Sequence, residues 1–239
     1  MSLLDLPTRT LAGVLVPSTP IVNEALELAE KSLDPIGYRH VVRAWLTGAL
    51  ILSRLPPAQR EGVDIEAFSV AAILHDLGWS HSPEIRSKDK VFEVDGANAA
   101  RDFILRIGDS KQWDKHRIQL VWDSIALHTH PPVAMHKEAE VVLVHVGVCV
   151  ELFGVAFVKE NGGSDLVQIS EAELGKIAAE FPRTGLFGHM KDLLCGFCME
   201  KPQVTYNTWV QGFGDRFVDG YSSEGRQTVD LMMAKVEEH

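Results

Sequence analysis

An all-α fold, a compact helical array in a single domain, is what the sequence predicts, on three observations. Apolar residues recur at helical spacing along most of the chain. Helix-breaking Pro and Gly pairs fall between those stretches. The composition, 46% hydrophobic and 23% charged over 239 residues, suits a globular chain that buries one large core.

In chain order, Ile21 to Ser32 reads as a helix closed by Asp34-Pro35, and Tyr38 to Leu55 as one closed by Pro56-Pro57. Asp64 to Leu77 follows, stopped by Gly78, which can take the left-handed conformation that ends a helix. Asp95 to Ile107 stops at Gly108-Asp109, and Trp113 to Leu127 runs up to Pro131-Pro132. Ser170 to Glu180 comes after the Gly162-Gly163 loop, and beyond Pro202 a last helix spans Gly225 to Val236. One stretch stays ambiguous. VVLVHVGVCV, Val141 to Val150, is β-branched at nearly every position and fits a buried strand as well as a helix.

The net charge of -10, with 23 basic against 33 acidic residues and no basic cluster, argues against a nucleic-acid partner and for small-molecule chemistry. No basic region followed by an apolar one opens the chain, and Val141 to Val150 is too short to span a bilayer, so the expectation is a cytoplasmic protein with no membrane partner. Three cysteines make no paired disulfide framework. Cys195 and Cys198 read as core residues on a helix, and the terminal EEH as a solvated end.

The chemistry-bearing stretch is AAILHDLGWS, where an apolar run ends in His75 and Asp76. A buried ionised carboxylate needs a partner, a shifted pKa or a metal. Alone, the pair also reads as a satisfied core histidine beside a capping aspartate. His40, in PIGYRHVVRAWLTGALI, shares a helix face with Ala44, Thr47 and Ile51 and so faces the core.

A histidine followed thirty-five positions later by His-Asp resembles the HD-domain metalloenzymes. That resemblance implies an all-α fold of HD type with its metal-site core over residues 36–155 and helices of 170–239 packing on it. It also implies a further carboxylate ligand downstream. Glu151 is the candidate, because within Val141 to Phe153 only it and His145 are polar, and His145 lies roughly 120° around the helix. RHVVR, ILHDLG, FEVDGANAARDFI, IALHTHPP, EVVLVHVGVCVELFG and KPQVTYNTWVQGFGDRF together resemble the cyanamide hydratase-like branch, which carries aspartate where this chain has Glu151.

The resemblance implies one divalent transition metal, zinc or alternatively iron, held by His40, His75, Asp76 and Glu151. Asp76 also orients the nucleophilic water. His128 lines the active site as proton donor and substrate contact, with His130 as a further substrate contact. Phe92 stands where two-metal relatives carry a histidine, and Trp79 where many phosphohydrolases carry a glutamate. The implied activity is hydration or hydrolysis of a small nitrogen-containing substrate such as cyanamide. A mononuclear nucleotide phosphohydrolase and a degenerate ligand-binding domain are the alternatives, and homo-oligomerisation stays open.

Overall fold

Proline and aspartate set where the site-bearing helices begin. In the computed structural model, which describes residues 6–163 and 165–236, Asp34 accepts hydrogen bonds from the N–H groups of Ile36 and Gly37 at 2.8 and 3.2 Å. Pro35 then occupies the first helical position, where its missing N–H costs nothing. This helix therefore starts three residues before the expected Tyr38. The terminal Glu237 to His239 lie outside the described residues.

Contacts divide the chain into two compact units, 1–86 with 92–184, and 87–91 with 185–239. The first begins with a hairpin, β1 (Thr8–Leu11) against antiparallel β2 (Val14–Pro17), which the helical reading of the sequence omitted. Its two-residue turn has Ala12 and Gly13 both at positive φ, the backbone a tight hairpin needs. Helices follow in the order α1 (Pro20–Ser32), α2 (Pro35–Arg54), the single turn α3 (Pro57–Arg60), α4 (Ile65–Leu74), α5 (Phe92–Ile107), α6 (Lys115–Ala126) and the single turn α7 (Pro131–Ala134). Then come α8 (Ala139–Phe153), the single turn α9 (Val155–Val158) and α10 (Glu171–Glu180). The second unit holds α11 (Leu186–Glu200), with Cys195 and Cys198 buried on it as expected, then α12 (Gln211–Phe217) and α13 (Thr228–Lys235). No helix among the described residues is long and apolar enough to cross a membrane.

The ambiguous valine run is α8. It packs on α2, α4 and α6, so it is buried nearly all round, and that burial outweighs the weak helix propensity of its β-branched residues. Its crossing with α2 is close because both helices present glycine. A Cβ on Gly147 would sit 2.9 Å from the Ala44 carbonyl and 3.1 Å from the backbone of Gly48. One turn further along α8, and one turn back along α2, this antiparallel approach brings Glu151 against His40.

Candidate metal centre

The centre is assembled where α4 ends. Helical hydrogen bonding stops at Leu74, His75 keeps helical angles at the cap, and Asp76 turns at φ -106°, ψ 22° into the 3-10 turn Leu77–Trp79. Gly78 is not left-handed as expected. Glycine is required there because a Cβ would lie 1.9 Å from the carbonyl oxygen of Phe92, at the start of α5. The change from α to 3-10 winding, rather than a reversal at glycine, lets adjacent side chains His75 and Asp76 face one point.

Four elements converge. His40 comes from α2, His75 and Asp76 from the end of α4, His128 from beyond α6, and Glu151 from α8; all are buried. His40 donates from Nδ1 to Glu151 Oε2 (2.8 Å), His75 from Nδ1 to the Ala72 carbonyl (2.8 Å) and His128 from Nδ1 to the Ile125 carbonyl (2.7 Å). Each acceptor can only accept, so each ring keeps its Nδ1 proton and turns Nε2 inward.

The inward atoms surround Asp76. Its Oδ2 lies 3.3 Å from His40 Nε2 and 3.2 Å from His75 Nε2, and its Oδ1 lies 3.4 Å from His128 Nε2. These are ion-pair distances without hydrogen-bond alignment, so both oxygens are buried with no hydrogen bond. The Nε2 atoms of His40 and His75 also face each other at 3.4 Å. Neutral rings would point lone pairs at one another there, an arrangement that calls for a cation between them.

His40, His75 and Asp76 fit such an ion, since one ligand atom from each lies within 4.8 Å of the others. Their three closest atoms form a triangle with sides of 3.4, 3.3 and 3.2 Å. A point equidistant from its corners is about 1.9 Å from each, close to the bond lengths of about 2.0 to 2.1 Å that these residues would need to hold a divalent transition ion.

Glu151 is placed differently from the expectation. It lies outside this group and holds the far side of His40, with Oε1 accepting from Arg43 Nε at 2.6 Å and Arg183 Nε 3.6 Å away. The longer glutamate is drawn to the Arg43 guanidinium, one turn along α2, and supports a candidate ligand instead of joining it. The fourth polar group at the cluster is His128. His130 is exposed and opens the single turn α7, so it is not brought to the centre. His145 donates to the His128 carbonyl at 2.6 Å and fixes that segment.

Charge follows the same geometry. Burial opposes charge on His40, yet Glu151 and then Asp76 outweigh it and hold its pKa at about 9 in the ion-free protein. Burial would raise Glu151, but His40 and Arg43 bring it to about 2. Burial likewise works against the Asp76 carboxylate, and His75, His128 and His40 still keep its pKa well below the usual range. The cluster demands positive charge, a proton or a cation in its place.

Aromatic rings wall this space. Trp79 stacks on His40 with centroids 5.5 Å apart, Phe92 meets His128 edge-on at 5.9 Å, and the two walls are 6.2 Å from each other. The sequence marked both positions only as departures from relatives; their wall role depends on the Gly78 approach to Phe92. Among known families, the HD domain matches residues 37–146, which spans His40 through His145. No curated protein matches the chain.

Proposed function

The chain is a member of the HD-domain superfamily, and from that premise we propose a metal-dependent hydratase or hydrolase, its ion held by His40, His75 and Asp76 and its substrate a small uncharged nitrile such as cyanamide. The observation that carries this reading is the Asp76 carboxylate, buried without a hydrogen bond among inward-facing imidazole nitrogens. A divalent transition metal, zinc or iron, supplies there the Lewis acidity that makes water a nucleophile at neutral pH.

The chain's own groups do the rest. Glu151 and the Ala72 carbonyl fix the two ligand rings by their Nδ1 protons. Asp76 Oδ1, on the His128 side, accepts a hydrogen bond from the attacking water and so orients it. His128 presents Nε2 to the same space; burial disfavours its charge, but Asp76 and Glu93 raise its pKa, which favours the protonated ring that the donor role to the substrate nitrogen requires. Trp79 and Phe92 keep bulk water out.

The walls also support an uncharged substrate. Arg43, the guanidinium next to the centre, gives Nε to Glu151 and Nη1 to the carbonyls of Phe181 and Pro182 at 3.2 and 3.1 Å, and its one unpaired nitrogen, Nη2, belongs to a cavity beside Glu151 rather than to the space around Asp76. Elemental analysis of the purified protein, joined to assays on nitriles, amides and nucleotides, tests this. One divalent ion per chain and nitrile turnover abolished by Asp76→Ala are expected. Faster phosphate release from nucleoside monophosphates would establish the phosphohydrolase alternative instead, and a metal-free, inert protein the ligand-binding one.

A further inference from the structure

A cavity of about 190 Å³ lies beside Glu151, within the first unit and between α2 and α10. Two of its lining groups are buried and lack hydrogen bonds: Arg43 Nη2, on a side chain 2% exposed, and Thr47 Oγ1, on a residue 1% exposed. Both are on α2. A guanidinium N–H and a hydroxyl left unpaired at a cavity wall are costly unless something in the cavity accepts from them.

The charges of the lining choose the kind of occupant. Arg43 and Arg183 are balanced by Glu151 and Glu171, so an anion meets no net attraction and a cation none either. Glu171 takes the Val155 N–H at 2.8 Å through Oε1, which leaves most of a carboxylate's acceptor capacity at the wall. The remaining surface is apolar, from Leu174 and Ile177 of α10. The site thus offers donors, an acceptor and a short hydrophobic wall around a neutral centre.

We propose that this cavity binds a small neutral primary amide. Its carbonyl oxygen accepts from Arg43 Nη2 and Thr47 Oγ1, its NH2 donates to Glu171, and a short alkyl chain lies on Leu174 and Ile177. Arg43 also holds Glu151, which in turn holds His40. Neither metal nor turnover enters this site, so its failure and that of the proposed activity are distinguishable.

Ligand-observed NMR and calorimetry on the full chain test it with butyramide and with butyrate, which shares the alkyl chain but carries charge. Butyramide binds saturably, butyrate about tenfold more weakly or worse, as expected when a charge-assisted hydrogen bond is replaced by repulsion. Gly175, on α10, lines the cavity, and an added Cβ there meets nothing within 4 Å, so Gly175→Leu adds bulk at its wall without a clash at Cβ. That variant and Thr47→Val lose butyramide binding, whereas Asp76→Ala keeps it. The proposal is wrong if butyrate binds as well as butyramide, if binding survives Gly175→Leu, or if butyramide does not saturate, which would leave water alone in the cavity.

Discussion

Glu151, expected as a fourth ligand, pairs instead with the far side of His40 and with Arg43. Its burial in a valine-rich helix was legible, and so was its need for neutralisation. The partner was not, because Arg43 is 108 positions away in sequence. Two contacts fix its carboxylate, so shortening the side chain must sacrifice one of them. Glu151→Asp is therefore expected to weaken metal binding, and Glu151→Gln to weaken it by about 10- to 100-fold, the usual effect of losing the carboxylate behind a ligand histidine. Competition titration with a chromogenic chelator measures both; unchanged affinity in the two variants would mean that His40 is not a ligand. Gln also strands the Arg43 charge, and breaking a buried pair from one side costs about 3 to 5 kcal/mol, readable in urea unfolding.

At the scale of elements, the N-terminus of α4 is tied to α6. Asp64 caps α4 by accepting from the Ala67 N–H at 3.0 Å and receives Arg117 Nη2 at 2.9 Å, while the same Nη2 reaches Glu66 at 2.7 Å. Burial pushes the Asp64 pKa up, but the hydrogen bonds from Arg117 and Ala67 more than offset it and the net shift is downward. A carboxyl with a depressed folded pKa contributes stability above its unfolded value near about 3.9, and that contribution is lost as pH falls through the folded one. The stability gap between the native chain and Asp64→Asn, which keeps a capping oxygen, should be present at pH 7 and close below about pH 4. A gap independent of pH would show that charge plays no part.

The α2–α8 crossing supplies a second element-scale expectation. Gly147→Ala forces its methyl against the Ala44 carbonyl and should cost about 1 to 3 kcal/mol as overpacking does. Gly175→Ala, where a Cβ meets nothing, should be neutral or stabilising by up to about 1 kcal/mol through its helix propensity. Thermal unfolding of the pair checks the sign of each.

For the molecule as a whole, the proposed ion, held by α2 and the end of α4, would join segments distant in sequence and so would bind only the folded state. Chelation should lower the Tm of the protein, since a ligand at 100 times its Kd contributes about 2.7 kcal/mol. A Tm indifferent to chelator, in protein shown to contain metal, would argue that the ion sits elsewhere. By itself the sequence determined the all-α class, the course of its main helices and the candidacy of His40, His75, Asp76 and His128, because helical spacing, breakers and buried polar residues are local signals. It did not determine the hairpin, whose two short strands carry little periodicity, or the helical state of α8, which burial on several sides imposes. Only the tertiary structure decided that Glu151 stands behind His40, that His130 faces solvent and that Trp79 and Phe92 close the centre. Those placements depend on the close α2–α8 crossing, on the approach of Gly78 to Phe92 and on a guanidinium competing for one carboxylate, and long-range contacts of that kind leave no mark on local sequence.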